Sequence, residues 1–109
     1  MKIAVACDHG ALNLKKAVIE YVEKCGHEAV DFGTYTADSC DYPDYALPVA
    51  KAVAEKRAEV GVLICGTGIG ISMAANKFKG VRAALVNSTY LARMTRRHND
   101  ANILCLGVR

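Results

Sequence analysis

The chain has 109 residues, of which 52% are hydrophobic and 23% are charged, and its formal net charge is +3. This length fits one domain and leaves no room for a second, and a charge excess this small indicates no nucleic-acid partner. No apolar stretch approaches the length of a membrane span, so no membrane partner is expected either. Five cysteines without a Cys-x-x-Cys pair favour a reducing compartment, and so a cytoplasmic location, over a disulfide framework or a zinc site.

The first part of the chain alternates between strand and helix patterns. Lys2–Cys7 is short and apolar, as in a strand, and apolar residues then recur at helical spacing as far as Cys25. Gly26 is the expected C-terminal stop of that helix, and the alternation over Glu28–Phe32 predicts a second strand.

A long irregular stretch, Gly33–Asp44, separates this unit from the next helix. Asp44 is the expected N-cap of that helix, and Pro48 is compatible with its first turn. Apolar residues at helical spacing carry the helix to about Arg57.

The stretch expected to form the site begins with the apolar run Val62–Ile64, which is typical of a central parallel strand covered on both faces. Cys65 ends this strand, and a helix is predicted over Ile69–Lys77. The loop region between them contains alternating glycines, at Gly66, Gly68 and Gly70. These glycines are expected to let a ligand reach the main chain without meeting a Cβ atom, and unpaired N–H groups at the start of the helix would favour an anion.

Cys65 is a candidate base or nucleophile, because a thiol at a helix N-terminus can have a pKa of roughly 3.5–7.5 instead of about 8.5. The alternative is a small apolar residue at the end of a core strand. Nucleotide binding is weakly supported, since no Lys-Ser or Lys-Thr pair follows the glycines and their spacing misses Gly-x-Gly-x-x-Gly by one residue. A phosphocysteine mechanism is disfavoured, because no arginine occurs between Cys65 and Arg82 to close a phosphate loop.

The last part of the chain continues the alternation. Gly80 is expected to end the third helix, Arg82–Val86 to form a fourth strand, and Ser88 to cap a fourth helix. Ile103–Leu106 has the pattern of a fifth strand. Five strands alternating with helices predict an α/β fold, a three-layer, Rossmann-like doubly wound sheet of five parallel strands, with ligands bound beyond the carboxyl ends of the strands.

Chemistry-bearing residues follow three of the predicted strands and could converge on one pocket. They are Asp8 and His9 after the first strand, Cys65 and Thr67 after the third, and Arg109 after the fifth. Three of them also have a purely structural interpretation: Asp8 could cap the first helix, Thr67 could cap the third, and Arg109 could be a solvated terminus.

His98 lies in a polar segment at the end of the fourth helix. That helix begins at the carboxyl edge of the predicted sheet and ends at the opposite edge, so His98 should lie far from Cys65 within one subunit. If the two residues act together, a second subunit must supply His98, in a two-fold dimer with sites shared across the interface.

Five separated motifs occur in the order found in type B ribose-5-phosphate isomerase, and the sequence resembles that family along its whole length. They are Asp8-His9-Gly10, Asp41-Tyr42-Pro43-Asp44-Tyr45-Ala46, Cys65-Gly66-Thr67-Gly68-Ile69-Gly70, Ala75-Asn76-Lys77 and Arg97-His98-Asn99-Asp100-Ala101-Asn102. The resemblance implies interconversion of ribose 5-phosphate and ribulose 5-phosphate through an enediolate, without a metal or an organic cofactor. The wider family includes galactose-6-phosphate isomerase subunits with a similar glycine loop, whereas the segment around His98 is closer to the pentose phosphate branch.

The resemblance also implies roles at the reacting carbons. Cys65 would be the base that moves the proton between C1 and C2, and His98 would assist ring opening as the proton donor. Thr67 would support the thiol or the substrate hydroxyls. Some members of the family instead carry a glutamate base early in the third helix, where this chain has Ile71.

The implied partners are a phosphosugar and a second copy of the chain, in a homodimer or a dimer of dimers. Asp8 and His9 would bind the sugar together with Asn99, and Arg109 would meet the phosphate. The loop would hold the developing oxyanion through its main-chain amides, which belong to Gly66, Thr67, Gly68, Ile69 and Gly70.

Members of the resembled family are expected to continue for several tens of residues beyond Arg109, with a further helix and basic residues that help to bind phosphate and to build the dimer. The single isomerase domain expected over residues 1–109 lacks that helix. Two alternatives stay open beside ribose-5-phosphate isomerisation. One is isomerisation of galactose 6-phosphate or allose 6-phosphate, and the other is binding of a sugar phosphate without turnover.

Overall fold

Five parallel strands form one sheet in the computed structural model, which describes all residues from Met1 to Arg109. The elements follow one another as β1 Lys2–Cys7, α1 Leu12–Lys24, β2 Glu28–Asp31, α2 Pro43–Ala54, β3 Val60–Cys65, α3 Ile69–Ala75, β4 Ala83–Leu85, α4 Thr89–Asn99 and β5 Ile103–Gly107. The strand order across the sheet is β2-β1-β3-β5-β4, so the strand predicted to be central lies in the middle. The doubly wound α/β fold predicted from the alternation is confirmed.

Helices cover both faces of the sheet. On one face, α2 packs against β1 and β3, and α3 packs against β3, β4 and β5. On the other face, α1 packs against β1 and β2, and α4 borders a groove in which Ala92 faces Val62 and Leu104. None of the residues of α4 is fully buried, so β5 is thinly covered on this side. No helix has both the length and the apolar composition needed to cross a membrane.

β3 is apolar because both of its faces are buried. Leu63 and Cys65 belong to a core cluster of 16 buried residues on the α2 side, whereas Val62 and Ile64 belong to a cluster of seven on the α1 side. This division follows from the alternation of side chains along a strand. Burying a leucine or isoleucine side chain stabilises a fold by about 1.5–3 kcal/mol. The glycine loop therefore starts from a strand that is buried on both faces.

The start of α2 differs from the prediction. Asp44 is predicted to cap this helix, but the helix begins one residue earlier, at Pro43, with Tyr42 in the N-cap position. Proline is favoured there because the N–H group that it lacks would have no partner in the first turn. Asp44 lies within the first turn, where its charge complements the helix dipole. Pro48 lies inside the helix rather than in its first turn, and the helix ends at Ala54, earlier than predicted.

Other helix ends agree with the capping residues in the sequence. Gly26 follows α1 with a φ of 87°, in the left-handed region that glycine adopts readily. The hydroxyl oxygen of Ser88 accepts the N–H of Leu91 at 3.1 Å and caps α4. α3 is shorter than predicted, since it ends at Ala75 rather than Lys77 and has seven residues. Individual N–H groups, rather than the dipole of a long helix, must therefore act on any ligand at its start.

Two core cysteines are protected from ionisation. Cys7 and Cys105 are fully buried on opposite faces of the sheet. Burial raises the pKa of the Cys7 thiol to about 11, although the Lys15 ammonium opposes the shift. Burial, with a smaller contribution from Cys65, raises the pKa of the Cys105 thiol to about 12. Both side chains therefore remain neutral thiols at neutral pH.

We expect the free energy of unfolding to fall as the pH rises above about 9. In the unfolded chain both thiols ionise near the ordinary pKa of 9.0, whereas in the folded chain Cys7 and Cys105 stay protonated up to about 11 and about 12. The unfolded state then binds fewer protons, and stability decreases by at most about 1.4 kcal/mol per pH unit for each thiol. Urea unfolding from about pH 8 to about pH 10 measures this slope. Cys105→Ala should give a shallower slope, and identical slopes would contradict the prediction.

Candidate active site

Backbone hydrogen bonds at the carboxyl edge of the sheet bring three chain segments together. After β1, the N–H of Asp8 donates to the carbonyl oxygen of Ile64 at 3.0 Å. After β5, the N–H of Arg109 donates to the carbonyl oxygen of Gly66 at 3.0 Å. The ends of the first, third and fifth strands thus meet around Cys65, at the edge where open α/β sheets bind ligands.

The sulfur of Cys65 lies against the glycine loop. The N–H of Gly68 donates to Sγ at 3.1 Å. Gly68 has a φ of 80°, which a residue with a Cβ atom adopts only with strain. Cys65 is also 5% exposed and belongs to the larger core cluster. The two interpretations of this residue are therefore compatible, because it ends a core strand and its sulfur faces a main-chain donor.

Four further N–H groups of this region make no hydrogen bond within the chain. They belong to Gly66, Thr67, Gly70 and Ile71. The N–H of Ile69, by contrast, donates to the hydroxyl oxygen of Thr67 at 3.2 Å, so Thr67 does help to cap the start of α3. Unpaired main-chain N–H groups gathered in one loop form an anion-binding surface.

Packing within the protein accounts for two of the glycines. A Cβ atom on Gly68 would collide with the side chain of Leu85, and one on Gly70 would lie 2.6 Å from Cζ of Tyr42. Protein side chains, rather than open space, therefore lie where Cβ atoms on these two glycines would be. The glycines instead allow the loop to pack closely against its neighbours.

Arg109 lies over the loop at Gly66. Its guanidinium carbon is 3.3 Å from the place that a Cβ atom on Gly66 would take, and the residue is exposed. Thr67 and Arg109 line a groove of about 760 Å³, to which Asn87 and Ser88 add polar groups. The main-chain hydrogen bond to Gly66 holds Arg109 at the loop. Arg109 is therefore not a frayed terminus.

Tyr42 lies at this site although the sequence pattern indicates no role for it. From the N-cap position of α2 its ring covers Gly70, with the hydroxyl oxygen 2.8 Å from the place of a Cβ atom there. The residue is 40% exposed. From the sequence, Pro43 marks the start of the helix and so places Tyr42 just before it. Only the packing of α2 against α3 shows that Tyr42 reaches the loop.

Asp8 and His9 are held by the turn after β1 and by the loop after β2. Oδ1 of Asp8 accepts the N–H of Gly10 at 2.9 Å. α1 begins later, with Ala11 at the N-cap and no side-chain cap. The alternative in which Asp8 caps α1 is therefore wrong, because its carboxylate closes the preceding turn. Nδ1 of His9 accepts the main-chain N–H of Cys40 at 3.2 Å.

His98 and Asn99 lie at the opposite edge of the sheet from Cys65. The carbonyl oxygen of Asn99 accepts the Nε–H of Arg82, a residue that precedes β4. Both His98 and Asn99 are exposed. A single chain therefore does not bring them to the thiol, as the direction of the fourth helix predicts.

The groups gathered at the carboxyl edge can move a proton, donate hydrogen bonds and attract an anion. A thiol can act as a base, main-chain amides can stabilise a developing oxyanion, and an arginine can meet a phosphate. No group of three or more His, Cys, Asp or Glu side chains lies close enough together to hold a metal ion.

Comparison with known proteins identifies the family. The ribose/galactose isomerase family model matches residues 3–109. The chain belongs to this family. Its resemblance to type B ribose-5-phosphate isomerase is confirmed by a relative, the ribose-5-phosphate isomerase B of Escherichia coli, which is 47% identical over 108 residues that cover 99% of this chain and 72% of that protein.

Solved structures of isomerases in this family share the fold. The ribose-5-phosphate isomerase B of Clostridium thermocellum matches with a TM-score of 0.98 and 53% identity, over 100% of this chain and 74% of that one. The ribose-5-phosphate isomerase B of Mycoplasma genitalium, solved with bound ribulose-5-phosphate, matches with a TM-score of 0.93 and 46% identity, over 97% of this chain and 71% of that one. The chain is therefore a member of an isomerase family in both sequence and fold.

Gly107 holds the glycine loop in place by leaving room for Thr67. A Cβ atom on Gly107 would lie 2.5 Å from the main-chain carbon and oxygen of Thr67. We expect Gly107→Ala to displace Thr67 and to lower stability by about 1–3 kcal/mol, the usual cost of overpacking, as measured by urea unfolding. Gly10→Ala is the control, because its Cβ atom would make only an ordinary contact of 3.5 Å with Asp8. Losses of equal size in the two variants would show that the loop does not depend on this close approach.

Proposed function

We propose that the chain interconverts ribose 5-phosphate and ribulose 5-phosphate through an enediolate, as a cytoplasmic enzyme of the pentose phosphate pathway. Relatives named ribose-5-phosphate isomerase B support this assignment, one of them with ribulose-5-phosphate bound. The observation that carries it is the 3.1 Å contact between Sγ of Cys65 and the N–H of Gly68, beside N–H groups with no partner in the chain.

Cys65 is proposed as the base. The aldehyde of the open-chain sugar acidifies the hydrogen on C2, and the thiolate removes it and returns it to C1. The O2 proton moves to O1, so that the aldehyde becomes a hydroxyl group and O2 becomes the ketone oxygen. A base positioned in this way contributes about 10²–10⁴-fold to the rate. The small exposed fraction of Cys65, 5%, keeps bulk water away from the sulfur.

The main-chain amides of the loop are proposed to stabilise the enediolate oxygens. The N–H groups of Gly66, Thr67, Gly70 and Ile71 have no partner in the chain and are available as donors. The strand pairing that holds the loop fixes these groups before the substrate arrives, so little reorganisation is needed. In other enzymes, removing one donor of this kind costs about 2.7–4 kcal/mol.

Arg109 is proposed to bind the phosphate, and Asp8 and His9 to bind the sugar. Arg109 lines a groove to which Asn87 and Ser88 also contribute polar groups. An arginine pairs with phosphate through several charge-assisted hydrogen bonds. Binding at both ends of the sugar phosphate would hold C1 and C2 at the sulfur.

Ring opening is proposed to use His98 of a second copy of the chain, with Asn99 beside it. These residues are exposed at the amino edge of the sheet and therefore available to another subunit. Two-fold symmetry makes each chain give and receive the same residues, so a homodimer would contain two shared sites.

We expect Cys65→Ala to lower kcat for ribose 5-phosphate by at least about 100-fold, because it removes the base. Cys25→Ala is the matched control, since Cys25 is an exposed thiol far along the chain from the loop. The same isomerase assay with allose 6-phosphate and galactose 6-phosphate decides the substrate, and the family model itself covers both ribose and galactose isomerases. We expect the highest kcat/KM for ribose 5-phosphate.

Two results would contradict the assignment. Full activity of Cys65→Ala would exclude Cys65 as the base. Binding of ribose 5-phosphate by the intact chain, with no turnover of any of the three sugars, would identify a sugar-phosphate binding module instead.

Mixing two inactive variants tests whether the site is shared. Cys65→Ala keeps His98, and His98→Asn keeps Cys65, so a mixed dimer has one site with both residues intact. After dissociation and reassociation of equal amounts, about half of the dimers are mixed, and we expect about a quarter of the wild-type activity to return. The proposal of a shared site would be contradicted if the unmodified chain were fully active as a monomer, or if mixing the two variants restored no activity.

A further inference from the structure

His9 connects the end of β1 to the loop between β2 and α2, residues 32–42, which is called here the β2–α2 loop. Nδ1 of His9 accepts the main-chain N–H of Cys40 at 3.2 Å, and the sulfur of Cys40 lies 3.7 Å from the same nitrogen. The other ring nitrogen, Nε2, makes no hydrogen bond within the chain, and His9 is half-buried. One side of the imidazole is therefore tied to the loop, and the other nitrogen is left for a ligand.

The contact with Cys40 decides which nitrogen of neutral His9 carries the proton. A main-chain N–H can only donate, so Nδ1 must accept, and the proton then lies on Nε2. We propose that Cys40, through its main-chain N–H, is a positioning residue that holds His9 as the Nε2–H tautomer, so that the histidine proposed above to bind the sugar does so as a hydrogen-bond donor. The second part of this inference rests on the proposed function.

The position of His9 suits such a donor. The neighbouring Asp8 is bonded through its N–H to the carbonyl oxygen of Ile64, the residue before Cys65. The end of β1, where His9 lies, is therefore next to the end of β3, where the sulfur lies, and the substrate proposed for this site carries hydroxyl and phosphate oxygens. These oxygens are acceptors, and the Nε2–H tautomer presents the donor that they require.

Lys15 fixes the start of the β2–α2 loop. The residue is 3% exposed, and its Nζ donates to Oδ1 of Asp31 at 2.8 Å and to the carbonyl oxygen of Thr34 at 2.7 Å. The same carboxylate oxygen accepts the N–H of Gly33 at 2.9 Å. Breaking a buried charge pair leaves an uncompensated charge and is strongly destabilising. The loop is therefore held at its base by α1 while Cys40 contacts His9 near its end.

Nitrogen-15 NMR of the free protein tests the tautomer without any substrate. Protonated and unprotonated imidazole nitrogens give well-separated signals, and the His9 signals are those that disappear in His9→Gln. We expect Nε2 to be protonated and Nδ1 to be unprotonated in neutral His9. A proton on Nδ1 would overturn the proposal, whether or not the chain proves to be an isomerase.

Two substitutions of His9 separate its two nitrogens. Asparagine places an amide near Nδ1 and can accept the Cys40 N–H, whereas glutamine places one near Nε2 and can donate to the substrate. We expect His9→Asn to lower kcat/KM for ribose 5-phosphate by about 10- to 100-fold, mainly through a higher KM, and His9→Gln to lose less. The Cys40 amide should exchange its hydrogen faster in His9→Gln than in His9→Asn. Equal losses of kcat/KM, or the reverse order of exchange rates, would overturn the proposal.

Variants of the supporting residues distinguish the main-chain donor from the thiol. Cys40→Ala keeps the N–H and should keep the His9 tautomer, whereas a changed tautomer would assign the role to the sulfur and overturn the proposal. Lys15→Met should release the β2–α2 loop, so that part of the His9 population carries its proton on Nδ1. The KM for ribose 5-phosphate should then rise. Lys16→Met, at an exposed neighbouring position on α1, is its control. If the Nε2–H tautomer is found in a chain that turns over no sugar phosphate, the proposed function fails and the positioning of His9 stands.

Discussion

The pairing of β3 with β5 is the constraint on which the rest of the site depends. The two strands are in register from Gly61 opposite Ile103 to Cys65 opposite Gly107. A slip of one residue would turn the side chains of β3 to the opposite faces of the sheet and expose part of both core clusters. Because the same ladder continues beyond the strands to Arg109, burial of the core also sets the distance between the thiol, the loop and the guanidinium.

Glycines at several positions allow the main chain to lie very close to neighbouring groups. Gly61 lets α2 pack against β3, because a Cβ atom there would lie 2.8 Å from the Val49 side chain. Gly70 and Gly107 do the same for Tyr42 and Thr67. The glycines around the site therefore allow close packing of the loop against its neighbours.

The arrangement divides the proposed chemistry between two edges of the sheet. Cys65, the loop amides and the guanidinium of Arg109 lie at the carboxyl edge, whereas His98 and Asn99 are exposed at the amino edge. A parallel sheet with right-handed crossovers enforces this separation, because each helix that starts at one edge ends at the other. Within this fold, Cys65 at the end of β3 and His98 at the end of α4 can act together only across an interface between chains.

Several features of this protein follow from local patterns in its sequence. Alternating strand and helix signals determined the parallel α/β sheet, and the unbroken apolar run before Cys65 identified the central strand. Since parallel strands end at one edge, the meeting of Asp8, Cys65 and Arg109 could also be predicted from their places after three strands. The error at the start of α2 arose where two start signals competed, and Pro43 prevailed over Asp44 because proline suits the first turn.

Contacts between residues that are distant in sequence were decided only by the tertiary structure. Neither the periodicity of the sequence nor its motifs indicate three such contacts, which are the ring of Tyr42 over Gly70, the N–H of Cys40 on His9 and the ammonium of Lys15 on Thr34. They depend on how α1, α2 and the β2–α2 loop pack against the sheet. Packing is a property of shape and volume summed over many side chains, whereas the sequence patterns report only which residues share a strand face or a helix face.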